Sequence, residues 1–223
     1  MVASFQNRLR SVLFTMLYHS RVLYWLASTI PFAGQWRVWQ QLALPRLRGQ
    51  TILEVGCGTG DLLADMAAAA YHCTGLDRSP QMVAATRATL RRRHQQADVC
   101  LAPAQQLPFA AATFDTVVSS FPSDYIFDSG VLCEIARVLR PGGRLIVIEG
   151  AYLLPATLWQ RFLIGLHILV YGWTALHGPA QAEAVRPGRR IPLEAAGLVR
   201  HSERVSTPRW VAFLTIGEKP VRP

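Results

Sequence analysis

Between Gln50 and Glu149 the sequence predicts an α/β fold, a doubly wound and largely parallel sheet. Short β-prone runs alternate there with helical runs. That order brings successive strands together through right-handed crossovers and puts helices on both faces. The run Ile52-Leu53-Glu54-Val55 leads straight into Gly56-Cys57-Gly58-Thr59-Gly60 and then into the helical Asp61-Leu62-Leu63-Ala64. A buried strand that opens through glycines onto a helix N-terminus turns free backbone N–H groups toward a ligand, with no side chain between. The next β-prone run ends in Asp77, 21 residues after Gly56, where a carboxylate can accept both hydroxyls of a ribose. Together these features imply a nucleoside at the carboxyl ends of the strands.

Residues 5–30 are apolar and aromatic-rich, with Phe5, Leu9, Val12, Leu13, Met16, Leu17 and Tyr18 near helical spacing. Pro31 and Gly34 break this run, and residues 36–44 read as a second short helix before Pro45. The spacing then predicts strands at 52–55, 73–77, 98–101, 114–119 and 143–149, helices at 60–70, 80–94 and 129–139, and a loop at 102–113. Residues 152–178 form an apolar insertion. Arg161, His167 and two glycines interrupt it too often for a comfortable membrane span. Three readings of it stand open: a lid packed on the N-terminal helices over an apolar pocket, a structural or dimer-forming helix, and a monotopic element at a membrane surface. Residues 192–198 read as a short helix stopped by Gly197, and β-prone runs follow at 198–206 and 210–217, parted by Pro208. No internal repeat is visible.

At 223 residues the chain fits one domain with an added cap. The N-terminal apolar stretch carries Arg8, Arg10, His19 and Arg21, unlike a cleavable signal peptide. The four cysteines (57, 73, 100 and 133) lie far apart, without a C-x-x-C pair. They read as small buried hydrophobes in a reducing cytoplasm, and no metal site is expected. The net charge of +9 is carried by arginines, Lys219 being the only lysine. It suits an acidic partner, whether nucleic acid, anionic lipid or anionic substrate; a GC-rich genome favouring arginine codons is the plainer explanation. Arg91-Arg92-Arg93 read as a solvated helix end, whereas Arg186, Arg189 and Arg190 flank Pro187-Gly188 in a loop.

The glycine spacing narrows the nucleoside. In a dinucleotide loop, G-x-G-x-x-G, the third glycine would fall on Asp61, a poor neighbour for a pyrophosphate. The observed E-x-G-x-G-x-G resembles motif I of the class I S-adenosylmethionine-dependent methyltransferases. Asp77-Arg78-Ser79-Pro80-Gln81-Met82 is similar to that family's D-x-S-x-x-M segment. Leu107-Pro108-Phe109 with Phe114-Asp115-Thr116-Val117-Val118 is similar to its L-P-F…F-D-x-V-V stretch, and Glu134-Ile135-Ala136-Arg137-Val138-Leu139-Arg140-Pro141-Gly142-Gly143 to its E-x-x-R-V-L-K-P-G-G block.

The resemblance implies a Rossmann-like seven-stranded sheet of order 3-2-1-4-5-7-6 with strand 7 antiparallel, plus N-terminal helices and the helical insertion. It also implies one methyltransferase domain over residues 1–223: a helical cap at 1–48, a cofactor-binding core at 50–150, an apolar lid at 151–190, and a terminal helix and hairpin at 191–219. The implied cofactor is S-adenosyl-L-methionine. Glu54, Gly56, Cys57 and Gly58 would surround its methionine part, and Asp77 would take the ribose hydroxyls. Arg78 would pack on adenine, Ala104 and Gln105 would offer N–H groups to the adenine edge, and Ser119 would turn a carbonyl toward the amino group. Relatives often carry Asp where Pro103 stands, so adenine recognition here should rest on backbone groups.

Methyl transfer from a sulfonium needs alignment and exclusion of water more than a dedicated base, and the catalytic residue is open. Asp124, Tyr125, His167 and His177 are the candidate proton acceptors. Residues 119–122 do not supply the N-P-P-Y-like signature of amino-group methylation. The resulting expectation is a cytoplasmic methyltransferase, peripheral to the membrane in one reading, that acts on a small hydrophobic acceptor of quinone, lipid or aromatic type. The alternatives are an rRNA or tRNA methyltransferase, against which no RNA-binding module is visible, and a catalytically silent cofactor-binding protein at a membrane surface. Acceptor atom and oligomeric state are open.

Overall fold

A computed structural model describes residues 34–154 and 190–221. Residues 1–33, His167, His177 and most of the 151–190 insertion lie outside the described residues. Strands β1 (Thr51–Val55), β2 (His72–Asp77), β3 (Asp98–Leu101), β4 (Phe114–Ser120), β5 (Leu139–Leu153), β6 (Val199–Ser206) and β7 (Trp210–Glu218) form one sheet of order β3-β2-β1-β4-β5-β7-β6. Strands β1 to β5 pair in parallel, and β7 runs antiparallel to β5 and β6. The helices are α1 (Trp36–Gln40), α2 (Asp61–Ala68), α3 (Pro80–Arg92) and α4 (Ser129–Val138). This is the Rossmann-like order implied by the sequence motifs.

Alternation along the strands fills two cores. Leu53, Val55, Val117, Leu145 and Val147 pack with Leu132 and Ile135 of α4 on one face. Ile52, Val118, Ile146 and Ile148 pack with Leu62, Leu63 and Met66 of α2, Leu90 of α3 and Trp39 of α1 on the other. Period-two side-chain placement makes such near-continuous apolar strands the signature of a sheet covered on both faces.

Several boundaries differ from the sequence expectation. Strand β5 runs to Leu153, so Tyr152 and Leu153, expected in the insertion, pair instead with Val211 and Trp210 of β7. The reason is the length of β7, whose nine residues supply a ladder beyond the parallel core. The ladder shifts register between Ile148 and Gly150. Helix α1 holds five residues and tightens into a 3-10 turn, Gln41–Arg46, that contains Pro45; the missing N–H and the bias against α geometry before proline account for the change. The terminal helix is a 3-10 turn, Leu193–Ala196, ended by Gly197. Arg93 is not a solvated helix end. It turns inward to Asp65 at 2.5 Å and to the Asp61 carbonyl at 3.0 Å. Arg37 of α1 meets Asp65 at 2.7 Å and Asp61 at 3.0 Å, so two cations pin α1 and α3 to α2. Burial alone would raise the Asp65 pKa; hydrogen bonds from Gln41 and Arg93, with the Arg37 charge, outweigh it and hold it low.

The E-x-x-R motif on α4 is a clamp. Glu134 accepts the Leu107 N–H at 2.9 Å, and Arg137 donates to the carbonyls of Phe109 at 2.7 Å and Leu107 at 3.0 Å while pairing with Glu134. The clamp fixes the loop that carries Ala104 and Gln105. Arg137→Ala removes these charge-assisted bonds. Because the side chain is partly exposed, the expected loss is about 1 kcal/mol, read as a fall of about 2–4 °C in Tm.

Candidate active site

The glycine loop is held from below by β2. The N–H groups of Gly56 and Cys57 both donate to the Leu76 carbonyl, at 2.7 and 3.1 Å, and Gly58 donates to Asp77 Oδ2 at 3.0 Å. Gly56 sits at φ +75°, and a Cβ there would come within 2.8 Å of the Tyr125 hydroxyl. Gly60 sits at φ +76°, and its Cβ would fall 2.6–3.0 Å from Thr86 on α3. Both positions therefore need glycine for left-handed backbone and for close approach. The Thr86 hydroxyl donates to the Gly58 carbonyl at 2.7 Å and ties α3 to the loop.

Asp77 closes β2. Its Oδ1 accepts the Ser79 N–H at 2.9 Å, and Ser79 caps α3 with Pro80 in the first turn. Each carboxylate oxygen keeps lone-pair capacity toward the cleft, since a carboxylate has about four acceptor sites.

A cleft of about 360 Å³ opens at the carboxyl ends of β1, β2 and β4. Of the expected site residues, Gly56, Gly58, Asp77, Arg78, Ala104, Gln105 and Tyr125 border it. Ser79, Met82, Ala102, Ser120, Phe121, Pro122 and Ser123, not singled out as cofactor contacts, border it too. Met82 was visible as the last residue of the D-x-S-x-x-M segment. Pro103 supplies no side-chain acceptor, and its carbonyl receives the Gln106 N–H at 3.3 Å.

Three expected contacts stand behind the wall rather than in it. Cys57 is buried with its Sγ 3.5 Å from Thr86 Oγ1, and burial pushes its thiol pKa up. Ser119 is buried; its Oγ lies 3.1 Å from the Val55 carbonyl and 2.6 Å from the Tyr125 hydroxyl. Strand β4 runs one residue further, to Ser120, which does border the cleft. Glu54 is 1% exposed at the end of β1. Its Oε2 has no hydrogen-bond partner among the described residues. Burial first, then the charges of Asp61, Asp77 and Asp65, raise its pKa well above the usual carboxylate range.

Tyr125 donates to the Val55 carbonyl at 3.0 Å, and burial pushes its phenol pKa up. The hydroxyl is thus a strut joining β1, β4 and the turn Asp124–Phe127. Asp124 is exposed on that turn and is not part of the cleft wall.

The cleft fits the cofactor that the motifs imply. A buried carboxyl with an orphaned oxygen suits an ammonium, and a glycine backbone that tolerates no Cβ suits close approach of an aminoacyl chain. The sheet order and the cleft at its carboxyl edge are those that the sequence motifs imply for a class I S-adenosyl-L-methionine-dependent methyltransferase.

The chain belongs to the methyltransferase family. The sequence profile described as Methyltransferase domain matches residues 53–147. The chain is 38% identical over 179 residues to ubiquinone/menaquinone biosynthesis C-methyltransferase UbiE of Rubrivivax gelatinosus, covering 76% of this chain and 68% of that protein. It is 32% identical over 208 residues to demethylmenaquinone methyltransferase of Mycobacterium sp. (strain KMS), covering 84% of this chain and 82% of the relative. Other demethylmenaquinone methyltransferases are spanned over 62–63% of their length. In fold, the chain resembles Haemonchus contortus phosphoethanolamine N-methyltransferase 2 in complex with S-adenosyl-L-methionine. The TM-score is 0.56 at 17% identity, over 84% of this chain and 53% of that one. No helix among the described residues is long and apolar enough to cross a membrane.

Proposed function

We propose that this enzyme methylates a ring carbon of a small, apolar quinol-type acceptor. The observation that carries the reading is the match, over most of the chain, to a ubiquinone/menaquinone biosynthesis C-methyltransferase and to a demethylmenaquinone methyltransferase. Its physical support is a cleft whose β4 side carries Phe121, Pro122 and Tyr125 between and beside Ser120 and Ser123. When bound, S-adenosyl-L-methionine supplies an electrophilic methyl group on a sulfonium. Asp77 receives the ribose hydroxyls while its other lone pairs keep Gly58 and Ser79 in place. Glu54 receives the ammonium through its orphaned oxygen or a water. The backbone of Gly56 and Gly58 flanks the aminoacyl chain, with Cys57 holding α3 from behind. Arg78 and Met82 flank adenine, and the N–H groups of Ala104 and Gln105 meet its edge. The Ser119 carbonyl, at the end of β4, is a further acceptor for the amino group. These residues would act by alignment and by excluding water, so that an electron-rich hydroquinone carbon could meet the methyl group in line. The proton on that carbon would be released to bulk solvent as the ring regains aromaticity. An acceptor carried in lipid would be met at a membrane surface, where the +9 charge favours anionic headgroups.

The test is incubation of the full chain with methyl-tritiated cofactor and a reduced, short-chain demethylmenaquinone. Label on the ring carbon is the expected result. Label that goes only to oxygen or nitrogen acceptors in a parallel panel would contradict the quinol reading.

A further inference from the structure

We propose that Phe121 is a specificity-determining residue, a stacking platform for a planar, fused aromatic acceptor ring, held in position by Trp36 and Trp39 of α1. This deepens the quinol reading and rests on it. Phe121 follows directly on β4 and borders the cleft. Its backbone is left-handed, with φ +48°. That conformation is an outlier for a bulky residue and persists only where the surroundings over-determine it.

The surroundings do so here. The Phe121 N–H donates to the Ile148 carbonyl of β5 at 2.9 Å. Its ring stacks on Trp36 with centroids 4.2 Å apart and planes 27° apart, and meets Trp39 edge-on at 6.3 Å. Trp39 in turn meets Trp210 of β7 edge-on at 6.3 Å. Gln40 of α1 donates to the Ser120 hydroxyl at 3.3 Å, one residue before the ring. Arg37, between the two tryptophans that touch Phe121, anchors α1 to Asp61 and Asp65.

The strained aromatic is backed by two indoles and still forms part of the cleft wall, a placement suited to a flat ring. Offset stacking selects planar π-systems over alkyl chains of equal area.

The test uses the full chain loaded with S-adenosylhomocysteine. 1,4-Dimethoxynaphthalene, a redox-inert fused ring, is titrated calorimetrically alongside decanol as an alkyl control. Phe121→Leu should weaken naphthalene binding about tenfold, the upper size of one aromatic pair, and Phe121→Trp should largely restore it. Decanol should bind all three forms alike. Trp36→Leu should weaken the naphthalene and Trp36→Phe recover it, which a merely structural role would not sort by aromaticity. If Phe121→Leu no longer binds S-adenosylhomocysteine, the Trp36 pair carries the test. Absence of naphthalene binding to the native chain, equal binding by leucine and aromatic variants, or parallel loss of naphthalene and decanol would each overturn the platform. Naphthalene binding without label transfer to demethylmenaquinol would sink the quinol reading and leave the platform standing.

Discussion

Asp77→Ala is expected to lower affinity for S-adenosylhomocysteine by about a hundredfold or more, the equivalent of two hydrogen bonds to a charged group at about 1.5–3 kcal/mol each. The carboxylate has two tasks that the substitution removes together. It faces the cleft at the end of β2, and it accepts the N–H groups of Gly58 and Ser79 at 3.0 and 2.9 Å. Losing the second task loosens the glycine loop and the start of α3. Asp77→Asn separates the two, because the amide keeps the size and one acceptor but places an NH₂ against one of two N–H donors. Its affinity should fall between wild type and alanine. Calorimetric titration of the three proteins checks the order, and equal affinities would remove Asp77 from the site.

Glu54→Gln should weaken cofactor binding by about tenfold, the size of one charge-assisted hydrogen bond, while making the empty protein less sensitive to high pH. The carboxyl is buried, one oxygen lacks a partner among the described residues, and three aspartates surround it. Its folded pKa is raised above the ordinary 4.5, so the unfolded chain releases this proton first as pH rises. The wild-type protein therefore carries its full stability contribution from this group below about pH 4.5. It loses that contribution progressively as pH climbs through the raised folded value. Glutamine cannot ionise, so the Tm gap between variant and wild type should widen in the variant's favour from mildly acidic to alkaline pH. An ammonium in the cleft stabilises the carboxylate, and saturating cofactor should close the gap. Parallel Tm profiles for the two proteins without cofactor would contradict this account of Glu54.

What the sequence disclosed and what it hid divide along physical lines. Strands β1 to β4 and the residues at their carboxyl ends were legible because each depends on local pattern. Period-two apolarity, glycines at a turn, and a Ser-Pro cap after Asp77 are all readable in a few residues. Strand β5 was read short because its last residues, Gly150 to Leu153, are ordered by pairing with β7 from across the insertion. Arg93 looked like a solvated helix end because nothing in its neighbourhood reveals Asp65, 28 residues away. Cys57 fell inside a recognisable motif, yet its side chain turns away to Thr86; Ser119 was expected to act through its carbonyl, and its side chain turns to Val55 and Tyr125. The orphaned oxygen of Glu54 was equally invisible, since burial and partner count are properties of the packed molecule. The aromatic cluster of Trp36, Trp39, Phe121 and Trp210 joins three segments that no sequence period connects.

The most direct test of the central claim is a crystal structure of the full chain with S-adenosylhomocysteine. The account predicts the ribose hydroxyls on Asp77, the ammonium at Glu54 and the sulfur turned toward Phe121 and Tyr125. A nucleoside bound away from Asp77, or an ammonium remote from Glu54, would contradict it.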